Sequence, residues 1–172
     1  MNRIHTIAAC SCVNISHDYY LITRLLSQTK DKKMIYAMFA MILLTFIVGA
    51  QLFRLRLTAV KSGKISLGSF RLNNSAEVPT QMLQAMRNYS NLFEVPTLFY
   101  AAGVLTLALN FESVVLILLA WIFVLSRAIH SWIHLTYNNV IHRMQAFMVG
   151  NATVVLMWLV LVIKYSSHQV QG

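Results

Sequence analysis

Seven polar side chains interrupt stretches that are otherwise apolar: Arg87, Asn91 and Glu94 in one, Arg127, His130 and His134 in a second, and Arg143 just beyond it. Their types allow two chemistries. Guanidinium groups recognise carboxylates bidentately, so Arg87, Arg127 and Arg143, with two imidazoles beside them, could form a pocket for a molecule carrying carboxylates. The alternative is a metal, because His130 and His134 are four apart, a helical spacing that permits joint ligation, with Glu94 as a third ligand. Two fixed guanidiniums next to those imidazoles would repel a divalent cation, so anion binding is the expectation and no metal site is assigned. The chain brings no nucleophile of its own to this set. It has neither a Gly-x-Ser-x-Gly motif nor a Gly-rich phosphate loop, and its two cysteines, Cys10 and Cys12, lie near the N-terminus. Chemistry here would use a nucleophile carried in by a bound small molecule and stabilised by arginine.

Spacings of four then three (Arg87, Asn91, Glu94) and of three then four (Arg127, His130, His134) put each set on one face of a helix. Composition says what surrounds those helices. Of 172 residues, 58% are hydrophobic and 11% charged, whereas a globular chain carries about 25% charge, which excludes an ordinary soluble domain and, given the apolar content, a disordered one. The bilayer remains. Residues 34–53 and 144–163 are runs of twenty uncharged residues, each long enough at about 1.5 Å per residue to cross a hydrocarbon core of about 30 Å. Two further spans, from about 80 to 109 and from 113 to 135, carry the polar sets and are joined by the short turn Asn110-Phe111-Glu112. The sequence therefore predicts an all-α integral membrane bundle of four helices. It occupies residues 34–165, between a polar tail at 1–33 and a C-terminal tail at 166–172, with Met34 the expected start of translation.

The chain holds 14 Lys and Arg against 5 Asp and Glu, a net charge of +9. Position explains the excess. Arg54, Arg56, Lys61, Lys64 and Arg71 fall in the first connection and Arg143 in the third, while Lys164 ends the last span. The positive-inside rule puts those two connections in the cytoplasm and both termini outside, in the inner membrane if the source is bacterial. The charge is then a topology signal, and no nucleic-acid partner is expected. Cys10 and Cys12 supply neither a disulfide framework nor a four-ligand metal set. The apolar stretch before Cys10 is too short for a lipoprotein signal. Sequons at Asn73, Asn88 and Asn151 lie in cytoplasmic or membrane segments and are read as chance.

Folding the second and third spans about Phe111 brings residues equally far on either side to the same depth. Glu94 and Arg127 are 17 before and 16 after, Asn91 and His130 are 20 and 19, and Arg87 and His134 are 24 and 23. Three polar rungs result, with Glu94 and Arg127 as the natural ion pair. Charged groups in a bilayer are paired or line a cavity, which makes these residues functional candidates. Pro96, lacking an amide hydrogen, would free the Leu92 carbonyl beside Glu94.

On these residues the chain resembles the MAPEG family, the membrane-associated proteins in eicosanoid and glutathione metabolism. The matching strings are RNYSNLFEVP at 87–96 and SRAIHSWIHLTYNNVIHR at 126–143, and with the four spans the resemblance extends over residues 34–165. It implies a homotrimer of four-helix subunits that binds glutathione between neighbours near the cytoplasmic face. Carried over by position, Asn91, Glu94 and His130 match glutathione contacts, and Arg127 matches a structural or glutathione-contacting arginine. Arg87 and His134 lie in the same stripes, and Arg143 matches the arginine thought to stabilise the thiolate. A cation beside a thiol lowers its pKa, which agrees with that role. Ser90 stands where members often have arginine, His134 where they often have tyrosine, and Met144 and Phe147 where they often carry hydroxyls.

The functional expectation is a membrane-bound, glutathione-dependent transferase or peroxidase acting on lipophilic electrophiles drawn from the bilayer. Arg143 would stabilise the thiolate, and Arg87, Asn91, Glu94, Arg127, His130 and His134 would position the tripeptide. The alternative is a non-catalytic member whose polar ladder serves helix packing and trimer assembly. The substitutions at Ser90, His134 and Phe147 favour it.

Overall fold

The computed structural model describes residues 33–63 and 78–171. The chain divides into two units, Met1–Lys32 and Lys33–Gly172. The first, with the expected tail, Cys10 and Cys12, lies outside the described residues, as do Lys64, Arg71 and Asn73 of the first connection.

Four helices follow in order, α1 Met34–Lys61, α2 Thr80–Ala108, α3 Val114–Leu135 and α4 Val140–Gln171. All four are long and apolar enough to cross a membrane, and the architecture is the expected all-α integral membrane bundle. α1 runs beyond its apolar stretch, through Arg54 and Arg56 to Lys61. Leu, Arg, Ala and Lys are good helix formers, and an intrahelical ladder has no reason to stop where the lipid does. α2 continues through Pro96, which is buried. Neighbouring side chains bind carbonyls close to this break in the ladder. Thr97 Oγ1 donates to the Phe93 carbonyl, and Trp158 Nε1 of α4 donates to the Leu98 carbonyl at 3.2 Å.

Two short turns set the bundle's order. α2 ends on Asn110 in the left-handed region at φ 54°, with the Phe111 amide returning to the Thr106 carbonyl at 3.0 Å. Ser113 then caps α3, its Oγ accepting from the Leu116 amide at 3.4 Å. α3 ends on Thr136, two residues before its own left-handed asparagine. Asn138 sits at φ 47° with its amide on the Ile133 carbonyl at 2.8 Å, and Asn139 Oδ1 accepts from the Ile141 and His142 amides to start α4. Asparagine tolerates the left-handed conformation better than other side chains, so each hairpin reverses within a few residues.

The core lies along one stripe of each helix: Met34, Ala37, Met41 and Val48 of α1, Leu92, Phe99 and Ala102 of α2, Leu116, Ala120 and Phe123 of α3, and Val154, Met157 and Leu161 of α4. Phe99 and Phe123 stack at 4.5 Å between centroids. Between membrane helices there is little hydrophobic gain on association, so close approach at small residues carries the packing. A Cβ on Gly103 would come within 2.8 Å of Met38 Sδ, so glycine there lets α1 and α2 touch. Large apolar side chains such as Phe46, Val114 and Trp132 face outward, as lipid contact requires. At one end of the bundle the Met34 amide donates to Glu112 Oε1 at 2.7 Å and Lys164 Nζ to the Phe111 carbonyl at 3.0 Å. The start of α1, the α2–α3 turn and the late part of α4 therefore share that end, and the α3–α4 turn lies at the other.

Candidate polar seam between the third and fourth helices

The polar stripe of α3 is buried, and it faces α4. Arg127 has no exposed surface. Its Nη2 donates to Asn151 Oδ1 at 2.9 Å, and its guanidinium lies between the rings of Phe123 and Phe147, 5.2 and 4.8 Å from their centroids. Each ring face offers a cation a favourable quadrupole. Nε and Nη1 are left without a hydrogen-bond partner. Gly150 makes room: a Cβ there would lie 3.1 Å from Arg127 Nε and 2.7 Å from Ser126 Oγ.

One and two turns further on, the histidines bind the neighbourhood of Arg143. His130 Nδ1 lies 3.0 Å from the Arg143 carbonyl. A carbonyl only accepts, so this nitrogen carries the proton and Nε2, which has no partner, carries the lone pair. His134 Nε2 lies 3.4 Å from Arg143 Nη1. A guanidinium only donates, so here the proton belongs on Nδ1. Arg143 Nη1 also donates to Asn138 Oδ1 at 2.8 Å. The two imidazoles meet edge to face at 5.8 Å. Arg143 itself is half-buried.

The polar stripe of α2 lies elsewhere. Arg87 and Glu94 are exposed and Asn91 is half-buried. The expected ion pair between Glu94 and Arg127 does not form, since Nη2 is taken by Asn151 and the other two nitrogens have no partner. Two of the three expected rungs persist as charges acting through space, Glu94 on Arg127 and Arg87 on His134, while the hydrogen-bonded rung falls between residues not singled out from the sequence, Ser131 Oγ donating to Asn88 Oδ1 at 3.2 Å with Asn88 fully buried. The hairpin geometry holds, and α2 is turned so that Asn88, and not Asn91 or Glu94, makes the hydrogen bond to α3. Asn88 and Asn151, read as chance sequons, are thus the two asparagines that tie polar side chains across the bundle. Among the described residues, no three His, Cys, Asp or Glu side chains come together as a metal-ligand set.

Between α1 and α2 runs an open groove of about 890 Å3, lined by Phe46, Phe53, Leu92 and Phe93, with Tyr89 and Arg56 among its polar members. Gly49 admits Tyr89 to its wall, a Cβ there lying 3.1 Å from the ring.

Four helices long and apolar enough to cross a membrane, with arginine and histidine buried between two of them, define the class of the protein, a small integral membrane bundle. Within that class, the MAPEG family model matches residues 34–163, and the chain belongs to the MAPEG family. Neither a curated protein nor a solved structure matches it.

Proposed function

We propose that this protein is a membrane-bound glutathione-dependent transferase or peroxidase for lipophilic electrophiles, in which Arg143 stabilises the thiolate. The observation that carries the proposal is the state of Arg143. Its guanidinium is held by two neutral acceptors, Asn138 Oδ1 and His134 Nε2. Among the described residues no carboxylate is bonded to it, which leaves its charge to an anion. The surrounding balance points the same way. Arg87, Arg127 and Arg143 share this half of the bundle with one described carboxylate, Glu94, because the other, Glu112, binds the Met34 amide at the far end. Membership of the MAPEG family makes glutathione, with its thiol and two carboxylates, the candidate anion. The apolar α1–α2 groove suits a co-substrate arriving from the bilayer.

The exposed face of α2 supports a homotrimer. Arg87 and Glu94 stand exposed among the described residues on a membrane-crossing helix, and a neighbouring copy would cover them. In that assembly Arg87, Asn91 and Glu94 of one copy would grip the tripeptide beside the seam of another. Burial between two rings favours the packing alternative for Arg127 itself, as a residue that holds α3 against α4.

Calorimetric titration of glutathione into the purified protein in lipid nanodiscs tests the proposal. Saturable binding is expected, with conjugating or peroxidase activity that falls by about 100-fold in Arg143→Ala, the loss typical of removing a charged stabilising group. Absence of binding at millimolar glutathione, with the trimer intact, would leave the packing role as the function of the polar residues.

A further inference from the structure

We infer that Asn138 and His134 form a clamp that positions Arg143, so that in this chain the α3 histidine acts on the arginine and does not itself touch the ligand. The inference rests on the reading of Arg143 as the thiolate-stabilising group.

The geometry has three parts. Asn138 is the left-handed residue of the turn after α3, at φ 47°, and its side chain accepts from Arg143 Nη1 at 2.8 Å. His134, one turn earlier, presents Nε2 to that nitrogen at 3.4 Å and is itself buried, so its ring has little freedom to turn away. His130 fixes the main chain of Arg143 through its carbonyl at 3.0 Å. A guanidinium on a flexible side chain sweeps a large volume, and the rotamer freedom it loses on binding an anion lowers the affinity and blurs the geometry. Held in advance by two neutral acceptors on the rigid end of α3, it meets the sulfur at a fixed place with its charge intact. A carboxylate in either position would hold it as well but would neutralise it. Neutral acceptors at both positions are what a stabiliser of a developing anion requires.

The conformation of Asn138 allows its two roles to be separated. Glycine adopts a φ of 47° freely, so Asn138→Gly keeps the turn and removes only the acceptor, while Asn138→Ala disturbs both. At 134, leucine removes the acceptor and glutamine, with an amide oxygen, offers one again. Two measurements are made on each variant in nanodiscs, after confirming that it elutes as the wild type does. One is the thiolate absorbance of bound glutathione across pH, together with kcat and KM. The other is the rate at which a dicarbonyl reagent modifies Arg143 with no glutathione present, followed by peptide mass spectrometry.

The expected result is that Asn138→Gly and His134→Leu each lower kcat by about 10-fold and move the thiolate midpoint to higher pH. KM should stay close to the wild-type value, and modification of Arg143 should become severalfold faster. His134→Gln should recover most of both effects. If glutathione binds and Arg143→Ala abolishes the thiolate, but Asn138→Gly and His134→Leu change neither thiolate nor reagent rate, the clamp is overturned while the function stands. If the wild type binds no glutathione yet the reagent rate rises in both variants, the clamp stands and the functional assignment of Arg143 falls.

Discussion

The polar faces of α2 and α3 are written alike, three residues at spacings of three and four, and they meet opposite fates. On α3, Arg127, His130 and His134 are buried against α4 and bonded within the chain. On α2, Arg87 and Glu94 are exposed, and the residue that turns inward is Asn88, six before Glu94. Spacing shows which residues share a face, but the neighbour they face depends on what other helices offer. α4 offers α3 an acceptor at Asn151, a ring at Phe147 and room at Gly150. Among the described residues nothing buries Arg87 or Glu94 of α2 in the same way. An ionised side chain on a membrane helix costs at least about 2.5 kcal/mol on insertion scales, which makes cover from another copy the economical solution.

The sharpest way to break this contrast is to attack the α3 seam where it is most self-contained. Asn151→Leu removes the acceptor of Arg127 Nη2 and leaves a buried guanidinium with no hydrogen-bonded partner. Loss of a hydrogen bond to a charged group costs about 1.5–3 kcal/mol, so thermal unfolding in a fixed detergent should fall by a corresponding amount. Adding Arg127→Met to that variant should regain most of the loss, because replacing a whole buried polar pair by apolar side chains is often neutral. If Asn151→Leu melts like the wild type, the seam is not what binds α3 to α4.

The α2 face should respond in the other currency. Glu94→Leu or Arg87→Leu removes an exposed side chain, so melting of the protomer should change by less than about 0.5 kcal/mol. Assembly should weaken instead, by about 1 kcal/mol or roughly fivefold in dissociation constant, read as loss of energy transfer between labelled copies as detergent is raised. Unchanged assembly would mean that something other than a second copy covers α2.

How much of this was legible in the sequence differs along the chain for physical reasons. The four helices and their apolar faces follow from run length, because the bilayer fixes the length of a span. The expected ends were less accurate. α1 was expected to stop at 53 and extends to Lys61, since a helix outlasts the lipid when its residues favour it. Of the seven site residues, His130 and His134 are brought into hydrogen-bonding distance of Arg143, while Glu94 and Arg87 reach Arg127 and His134 only through space and remain exposed. The Glu94 charge reaches Arg127 without bonding to it, and the hydrogen bond of Arg127 crosses the other hairpin. Reflection about Phe111 pointed to Glu94, whereas reflection about Asn139, between α3 and α4, puts Arg127 twelve before and Asn151 twelve after. That second reflection matches the observed bond. A lone asparagine in an otherwise apolar span was the available signal, and it was hidden by its resemblance to a sequon.

The two hairpin asparagines give the smallest and most discriminating contrast. Asn110 and Asn138 both adopt the left-handed region in the turn after a helix, at φ 54° and 47°, and each turn is closed by an amide reaching back five residues, that of Phe111 in the first and of Asn138 itself in the second. Both positions therefore demand a residue that tolerates the left-handed region. They differ in that Asn138 Oδ1 holds Arg143 while Asn110 lies exposed at the opposite end of the bundle. Glycine satisfies a left-handed position at little cost in stability, so Asn110→Gly should shift unfolding by only a few tenths of a kcal/mol and leave glutathione binding and turnover unaltered. Asn138→Gly, equally mild in unfolding, should slow turnover. If the two substitutions have the same effect on turnover, both asparagines serve only to reverse the chain, and the difference between the two ends of the bundle lies in Arg143 alone.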